Sequence, residues 1–129
     1  MSRSHMDVTV QTGGPACSVT EVLDRVAGKW AVGILIAAAE GPVRFTELER
    51  EMAGISRRML TLNLRKLERE GLLTRTVYPT VPPRVEYECT DMARELNSTL
   101  LALVDWAKRH RGDIAQAHVV YDEAQGAQG

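Results

Sequence analysis

The sequence predicts an α+β fold that is mostly helical, and three observations support this. Helical segments follow one another from Ser18 to Gly71, an alternating pattern occupies residues 72–90, and helical spacing of apolar residues returns after Asp91. The chain has 129 residues, of which 44% are hydrophobic and 26% are charged, as expected of one globular domain. We therefore expect a small helical domain that carries a β-hairpin.

The first two predicted helices differ in character. Ser18 and Glu21 have the spacing of a capping box, and an amphipathic helix follows them as far as Gly28. Residues 30–39 are almost wholly apolar, which is typical of a helix buried on all sides. The Gly-Pro pair at 41–42 is expected to end this second helix.

Two further helices predict a helix-turn-helix. Thr46 and Glu49 match a second capping box, and the helix that they open should end near Gly54. Ser56 is expected to cap the next helix, residues 57–70. Two helices joined by so short a glycine-containing turn are typical of helix-turn-helix proteins.

A β-hairpin should follow the helix-turn-helix directly. Residues 72–78 are rich in β-branched side chains, and residues 84–90 alternate as a return strand. Prolines at 79, 82 and 83 interrupt the pairing between them and stiffen the tip. A helix-turn-helix with such a hairpin is a winged helix, so the predicted fold is a winged helix-turn-helix with a β-hairpin wing.

The helix predicted after Ser56 separates an apolar face from a basic one. Leu60, Leu64 and Leu67 recur at helical spacing and should face the core. Side chains near the start of such a helix can reach base edges in the major groove, and arginine suits guanine. Ser56 can bond phosphates or bases. The face opposite the leucines carries Arg69 and, as candidate DNA contacts, Arg57, Arg58, Thr61, Leu62 and Arg65.

The overall charge conceals this basic face. The formal net charge is −1, but residues 55–84 contain seven basic and two acidic residues, a charge of +5 that leaves −6 for the remainder. Arg84, placed by the sequence at the hairpin tip, could enter the minor groove or hold the DNA backbone. The alternative is that these arginines only solvate a surface helix. The predicted wing next to the helix favours double-stranded DNA as the partner.

The last predicted helix runs from about Asp91 to His110, and its pattern continues weakly to Tyr121. Its apolar stripe is broader than one small core requires, which favours a homodimer with isologous contacts, although part of the stripe should cover the domain's own core. The candidate dimerisation residues are Leu96, Leu100, Leu103, Trp106 and Ala107.

The chain divides into three predicted regions. Residues 1–16 form a flexible arm, of which 1–5 have the pattern of a cloning scar, and residues 17–111 form the winged helix-turn-helix domain. Residues 112–129 form a helical extension with a frayed tail. The sequence has no apolar run of the roughly 18 residues that a membrane span needs, and no secretory signal, so we expect a cytoplasmic protein.

Five segments in order closely resemble the HxlR-type family of bacterial transcription regulators, winged-helix proteins similar to the MarR group. They are GKW at 28–30, RFTEL at 44–48, GISRRMLT at 54–61, LRKLEREGL at 64–72 and VPPRVEY at 81–87. The resemblance implies a homodimer on an inverted-repeat operator, with the helix at 56–70 reading DNA and the terminal helices forming the dimer. We expect the two recognition helices to lie about 34 Å apart.

The two cysteines have different predicted roles. Cys17 precedes the cap Ser18, where the helix dipole favours the thiolate, and some members of the resembling family use a cysteine at this location to sense oxidants or electrophiles. Half-buried packing is the alternative for Cys17. Cys89 lies in the return strand and is predicted to be a core residue.

Other functions find less support. No motif of an enzyme, a cofactor site or a metal site is present in the sequence, so we expect no catalysis, no cofactor and no metal. A winged helix that binds only protein is the rival from another class, and the +5 window argues against it. Among DNA-binding regulators, the alternative is one that responds to a small molecule. Its effector pocket would lie near the dimer contact, lined by Trp30, Ile34, Leu103 and Trp106.

Overall fold

The structure, a computed structural model, describes residues 18–128. Residues 18–97 belong to one compact unit and residues 98–128 to a second, which consists of the distal part of the last helix. The elements in order are α1 Val19–Ala27, α2 Ala31–Ala39, β1 Val43–Arg44, α3 Phe45–Glu51, α4 Arg57–Arg69, β2 Leu73–Tyr78, β3 Arg84–Cys89 and α5 Asp91–Gln128. The mostly helical α+β fold is confirmed.

Two of the predicted helix caps are present. The Ser18 Oγ accepts from the Glu21 N–H at 3.1 Å, and the Ser18 N–H donates to the Glu21 carboxylate at 3.0 Å. The Ser56 Oγ accepts from the Met59 N–H at 3.0 Å, which starts α4 at Arg57. Both caps satisfy N–H groups that have no partner within the helix.

The predicted capping box at Thr46 and Glu49 is wrong. Helix α3 begins at Phe45, one residue before Thr46, and its N-cap is Arg44, whose N–H donates to the Glu47 Oε1 at 2.8 Å. The Glu47 carboxylate lies three residues beyond the cap, as a capping-box carboxylate does. The pairing of β1 with β3 determines where the extended chain ends, and this sets the start of α3.

The helix-turn-helix and its wing are confirmed. Residues 52–56 connect α3 to α4, and Gly54 in this turn has a φ of +89°, a left-handed conformation that side chains disfavour. Strands β2 and β3 form the predicted antiparallel hairpin, with Leu73 opposite Cys89 and Tyr78 opposite Arg84. The connection between them, residues 79–83, forms the tip of the wing.

A third strand, β1, was not predicted. It has only two residues and pairs antiparallel with β3, with Val43 opposite Tyr87, so that the order of the sheet is β1-β3-β2. Two residues are too few to show an alternating pattern. The added strand joins the entry of the helix-turn-helix to the wing.

The core of the winged-helix unit lies between α2, α3, α4 and the sheet. The predicted apolar stripe of α4 is buried, and each of its three leucines is at most 2% exposed. The largest fully buried side chains are Ile34, Leu35, Leu48, Leu60, Leu64, Leu67 and Leu73. The apolar segment 30–39 contributes two of them, in agreement with a buried helix.

The last helix is longer than predicted. Helix α5 continues through Gln128, beyond the end near His110 that the sequence predicted. Alanine, glutamine and glutamate dominate this end of the chain, and they have high helix propensity even without a tertiary partner. No helix within residues 18–128 has the combination of length and hydropathy needed to cross a membrane.

The corrected cap of α3 can be tested by paired substitutions. Glu47→Ala removes the carboxylate that accepts from the Arg44 N–H, and we expect the free energy of unfolding to fall by about 1 kcal/mol. Thr46→Ala should change it by less than about 0.5 kcal/mol, because Thr46 lies inside the helix. Urea denaturation followed by circular dichroism measures both, and a larger loss from Thr46→Ala would contradict this cap.

Candidate nucleic-acid interface

The exposed face of α4 brings the predicted DNA contacts together. Because the leucine stripe faces the core, the side chains on the other side of the helix point into solvent, and Thr61 alone among them is half-buried. They line a single open concavity of about 310 Å³. Its lining residues are Arg57, Arg58, Thr61, Leu62 and Arg65.

The arginines on this face have different surroundings. Within residues 18–128, neither Arg58 nor Arg65 takes part in an ion pair, so both guanidinium groups are available to a ligand. The Arg57 side chain, by contrast, contacts residues of α3. Its guanidinium carbon lies 5.0 Å from the centre of the Phe45 ring, and its Nη1 is 3.7 Å from the Glu49 Oε1. Arg57 therefore lies at the edge of the face, toward α3.

The acidic residues of the basic window lie at the far end of α4. The Arg75 Nε is 3.7 Å from the Glu68 Oε1, and the Arg25 Nε donates to the Glu70 Oε2 at 3.2 Å. Both acidic residues of the window are therefore engaged by arginines from other elements. They lie away from the amino-terminal residues with which a helix in the major groove makes base contacts.

Arg84 lies where the tip of the wing meets β3, next to the position that the sequence predicted. It is the first residue of β3, its guanidinium carbon lies 4.2 Å from the centre of the Tyr78 ring, and its Nε is 3.4 Å from the Glu86 Oε2. The tip itself comprises residues 79–83, in which Val81 is fully exposed. Arg84 thus closes the hairpin opposite its register partner Tyr78, whose ring offers an aromatic face to the guanidinium group.

The candidate dimerisation residues divide into two groups. Leu100 is 3% exposed and Leu96 is half-buried, whereas Leu103 and Trp106 are 48% and 47% exposed and Ala107 is exposed. The exposed apolar pattern also continues beyond the predicted set. On the distal part of α5, apolar side chains and the half-buried His110 recur at alternating intervals of four and three residues, at Leu103, Ala107, His110, Ile114, Ala117 and Tyr121.

The structure describes one of the two cysteines. Cys17, the candidate sensor, lies outside the described residues. Cys89 is a buried core residue, as predicted, and its Sγ–H donates to the Leu35 carbonyl at 3.3 Å. Burial raises the pKa of the Cys89 thiol, which disfavours the reactive thiolate.

The concavity found beside α1 differs from the predicted effector pocket. It has a volume of about 520 Å³ and is lined mainly by apolar residues of α1 and of the start of α5, including Val22, Leu23 and Met92. None of the four residues proposed for a pocket lines it, and Ile34 is fully buried. Within residues 18–128, no group of three or more potential metal ligands lies together.

The fold and the exposed basic helix define a winged helix-turn-helix transcriptional regulator. The description of the matching family model is HxlR-like helix-turn-helix, and the match covers residues 25–114. The chain belongs to this family.

Relatives and solved structures agree with this assignment. The HTH-type transcriptional regulator YtfH of Escherichia coli (strain K12) is 43% identical over 98 residues, which are 76% of this chain and 78% of the relative. The structure of the transcriptional regulator YtfH from Salmonella typhimurium has a TM-score of 0.73 and 37% identity, covering 81% of this chain and 94% of that one. The reduced form of the redox regulator HypR has a TM-score of 0.71 and 37% identity, covering 78% of this chain and 99% of that one.

Proposed function

We propose that the protein is a sequence-specific DNA-binding regulator that acts as a homodimer on an inverted-repeat operator. The observation that carries this proposal is the exposed face of α4, on which Arg58 and Arg65 have no acidic partner within the described residues. A cationic helix face beside a wing suits the major groove, because the helix can enter the groove while the wing reaches the neighbouring backbone.

The residues on this face suit different parts of DNA. Arg58 and Arg65 have the reach to donate two hydrogen bonds to guanine O6 and N7. Leu62 is 43% exposed, and an apolar side chain there can contact a thymine methyl group. Thr61 and Ser56 can donate to phosphates. The Ser56 Oγ accepts from the Met59 N–H, and its hydroxyl hydrogen remains free to donate.

The pattern on distal α5 supports the homodimer. Intervals of four and three residues average 3.5, the period of a helix that packs along its length against another helix. The stripe is exposed in the single chain, except for the half-buried His110, whose ring lies 5.0 Å from that of Trp106. A second copy of α5 would bury the stripe, and a two-fold contact would place two α4 helices on one duplex.

A role for Cys17 in redox sensing is a further part of the proposal. Helix α1 begins at Val19, and the positive end of its dipole favours a thiolate at Cys17, two residues earlier in the sequence. The similarity to a redox regulator favours the same role. Cys89 is unsuited to it, because it is buried and its thiol pKa is raised.

The DNA-reading role of α4 can be tested with Arg58→Gln. We expect the variant to bind the DNA upstream of the protein's own gene about tenfold more weakly or worse, because a bidentate guanine contact contributes about 1–3 kcal/mol. Binding to a scrambled duplex of the same composition should change much less. Gel shift or fluorescence anisotropy measures both affinities.

Arg109→Gln is the matched control, because Arg109 lies on α5 and pairs with Asp105 at 2.9 Å.

The affinity of the wild type for DNA should fall steeply as the salt concentration rises, since binding releases the cations that surround the phosphates. An affinity for the upstream DNA that is independent of salt would contradict the proposal and favour a protein-binding module.

The dimer can be tested with Ile114→Lys. A lysine in the apolar stripe should weaken dimerisation by about tenfold or more, because its charge would be buried without a partner. Val119→Lys is the control: Val119 is 49% exposed but lies on the opposite side of the helix from Ile114, Ala117 and Tyr121. Sedimentation equilibrium measures both, and a wild-type monomer at micromolar concentration would contradict the homodimer.

The role of Cys17 can be tested with Cys17→Ser. Diamide treatment should reduce the affinity of the wild type for the upstream DNA and leave that of the variant unchanged. Before unfolding, a thiol reagent at neutral pH should label one cysteine in the wild type and none in the variant, because Cys89 is buried. Equal affinity of both proteins with and without diamide would exclude sensing by Cys17.

A further inference from the structure

The apolar concavity beside α1 has no role in the proposed function. It has a volume of about 520 Å³, and every residue that lines it belongs to the unit formed by residues 18–97. We call it the α1 concavity. Its apolar lining comes from α1, from the turn after α4 and from the start of α5, and it consists of Val22, Leu23, Val26, Leu72, Met92 and Leu96.

This apolar lining combines buried and exposed side chains. Val26 and Leu72 are 8% and 7% exposed. Val22, Leu23 and Met92 are 45% to 55% exposed, so an occupant would remove much apolar surface from water. A mainly apolar concavity of about 300–1,000 Å³ is typical of small-molecule sites, and a flexible methionine adapts to the shape of its ligand. The size and lining therefore fit a small apolar molecule.

The charged residues of the α1 concavity leave one carboxylate unpaired. The Arg25 Nε donates to the Glu70 Oε2 at 3.2 Å, and the Arg69 Nη1 lies 4.0 Å from the same oxygen, so the charge of Glu70 is compensated. Glu95 also lines the concavity, but its side chain is exposed and forms no ion pair within residues 18–128. One arginine and two glutamates give the lining a formal charge of −1, to which a single positive charge is complementary.

A second copy of the chain fits the α1 concavity less well than a small cation does. A two-fold contact of this surface with itself would bring two linings of the same net charge together. The stripe proposed for the dimer lies elsewhere, from Leu103 to Tyr121 on distal α5. Leu96 is the one candidate dimerisation residue that lines the concavity.

We propose that the α1 concavity binds a small organic cation with an apolar body, and that this ligand is an effector of DNA binding. Its apolar body contacts the aliphatic lining, and its charge lies beside Glu95. The concavity also adjoins the DNA-reading helix, because Glu70 is the C-cap of α4. A cation that competes with Arg25 for Glu70 weakens the link between α1 and α4. The binding is independent of the proposed function, whereas the effector role rests on it.

Two probes of nearly the same shape and opposite charge separate the effect of charge from that of apolar contact. Tetraphenylphosphonium is an apolar cation, and tetraphenylborate is its anionic counterpart. We expect the wild type to bind one tetraphenylphosphonium per chain and to bind tetraphenylborate about tenfold more weakly, since the exposed carboxylate attracts one probe and repels the other. Equilibrium dialysis without DNA measures both affinities. Equal or tighter binding of the anion would overturn the inference.

Glu95→Gln tests the unpaired carboxylate. It should weaken binding of tetraphenylphosphonium about threefold, as expected for the loss of an exposed ion pair, and reduce the preference for the cation over the anion. Glu123→Gln is the matched control, because it removes an exposed carboxylate from the distal end of α5. A Glu95→Gln variant that retains the full preference for the cation would contradict the proposed position of the charge.

Val22→Trp tests the place of binding. The indole should fill the concavity and weaken binding of the cation about tenfold or more by steric exclusion, while the fold is retained because Val22 is an exposed residue of α1. Val119→Trp makes the same replacement at an exposed position of distal α5 and should bind the cation as the wild type does. Sedimentation equilibrium completes this test: a monomeric Val22→Trp protein beside a dimeric wild type would assign the concavity to a second copy and overturn the inference.

Gel shift tests the effector role. Tetraphenylphosphonium should weaken binding of the wild type to the upstream DNA about fivefold or more, as is typical of coupling between two sites, and leave binding by Val22→Trp unchanged. Unchanged binding by the wild type, or an equal loss in both proteins, would overturn the effector role. A wild type that binds neither the upstream nor the scrambled duplex would overturn the proposed function and the effector role with it, and the dialysis experiment would still decide whether the concavity binds the cation.

Discussion

The burial of one leucine stripe determines how this molecule presents its charge. Leu60, Leu64 and Leu67 are at most 2% exposed and hold α4 against the core, so the helix cannot rotate without exposing them. Burying a leucine contributes about 1.5–3 kcal/mol, whereas the ion pairs at the protein surface contribute about 1 kcal/mol or less. The apolar face therefore sets the orientation of α4, and the arginines occupy the side that remains.

The wing is held to the same core by short polar links. The Thr90 Oγ1 donates to the Gly71 carbonyl at 2.8 Å, and the Thr90 N–H donates to the Leu72 carbonyl at 3.1 Å, so the end of β3 is joined to the end of α4. The Cys89 thiol donates to the Leu35 carbonyl in α2. These links therefore set the position of the hairpin beside α4 and α2.

Local patterns predicted most of the fold, and the errors have physical causes. The caps at Ser18 and Ser56, the leucine stripe and the hairpin follow from neighbours within four residues of each other, or from a short alternating run. The cap of α3 was misplaced because Thr46 and Glu49 have the correct spacing, while Arg44 is not a usual cap residue. The pairing of β1 with β3 joins segments more than 40 residues apart, and no local pattern encodes it.

The sequence by itself determined the winged helix-turn-helix, the basic face of α4 and the burial of Cys89, because each depends on the order of apolar and charged residues along one element. Only the tertiary structure decided that Arg44, Arg57 and Arg84 line one concavity and that Arg25 and Arg75 pair with the two acidic residues at the end of α4. These arrangements depend on strand register and on aromatic and acidic neighbours from other elements. The near-zero net charge is the sum of a +5 window, residues 55–84, and a −6 remainder.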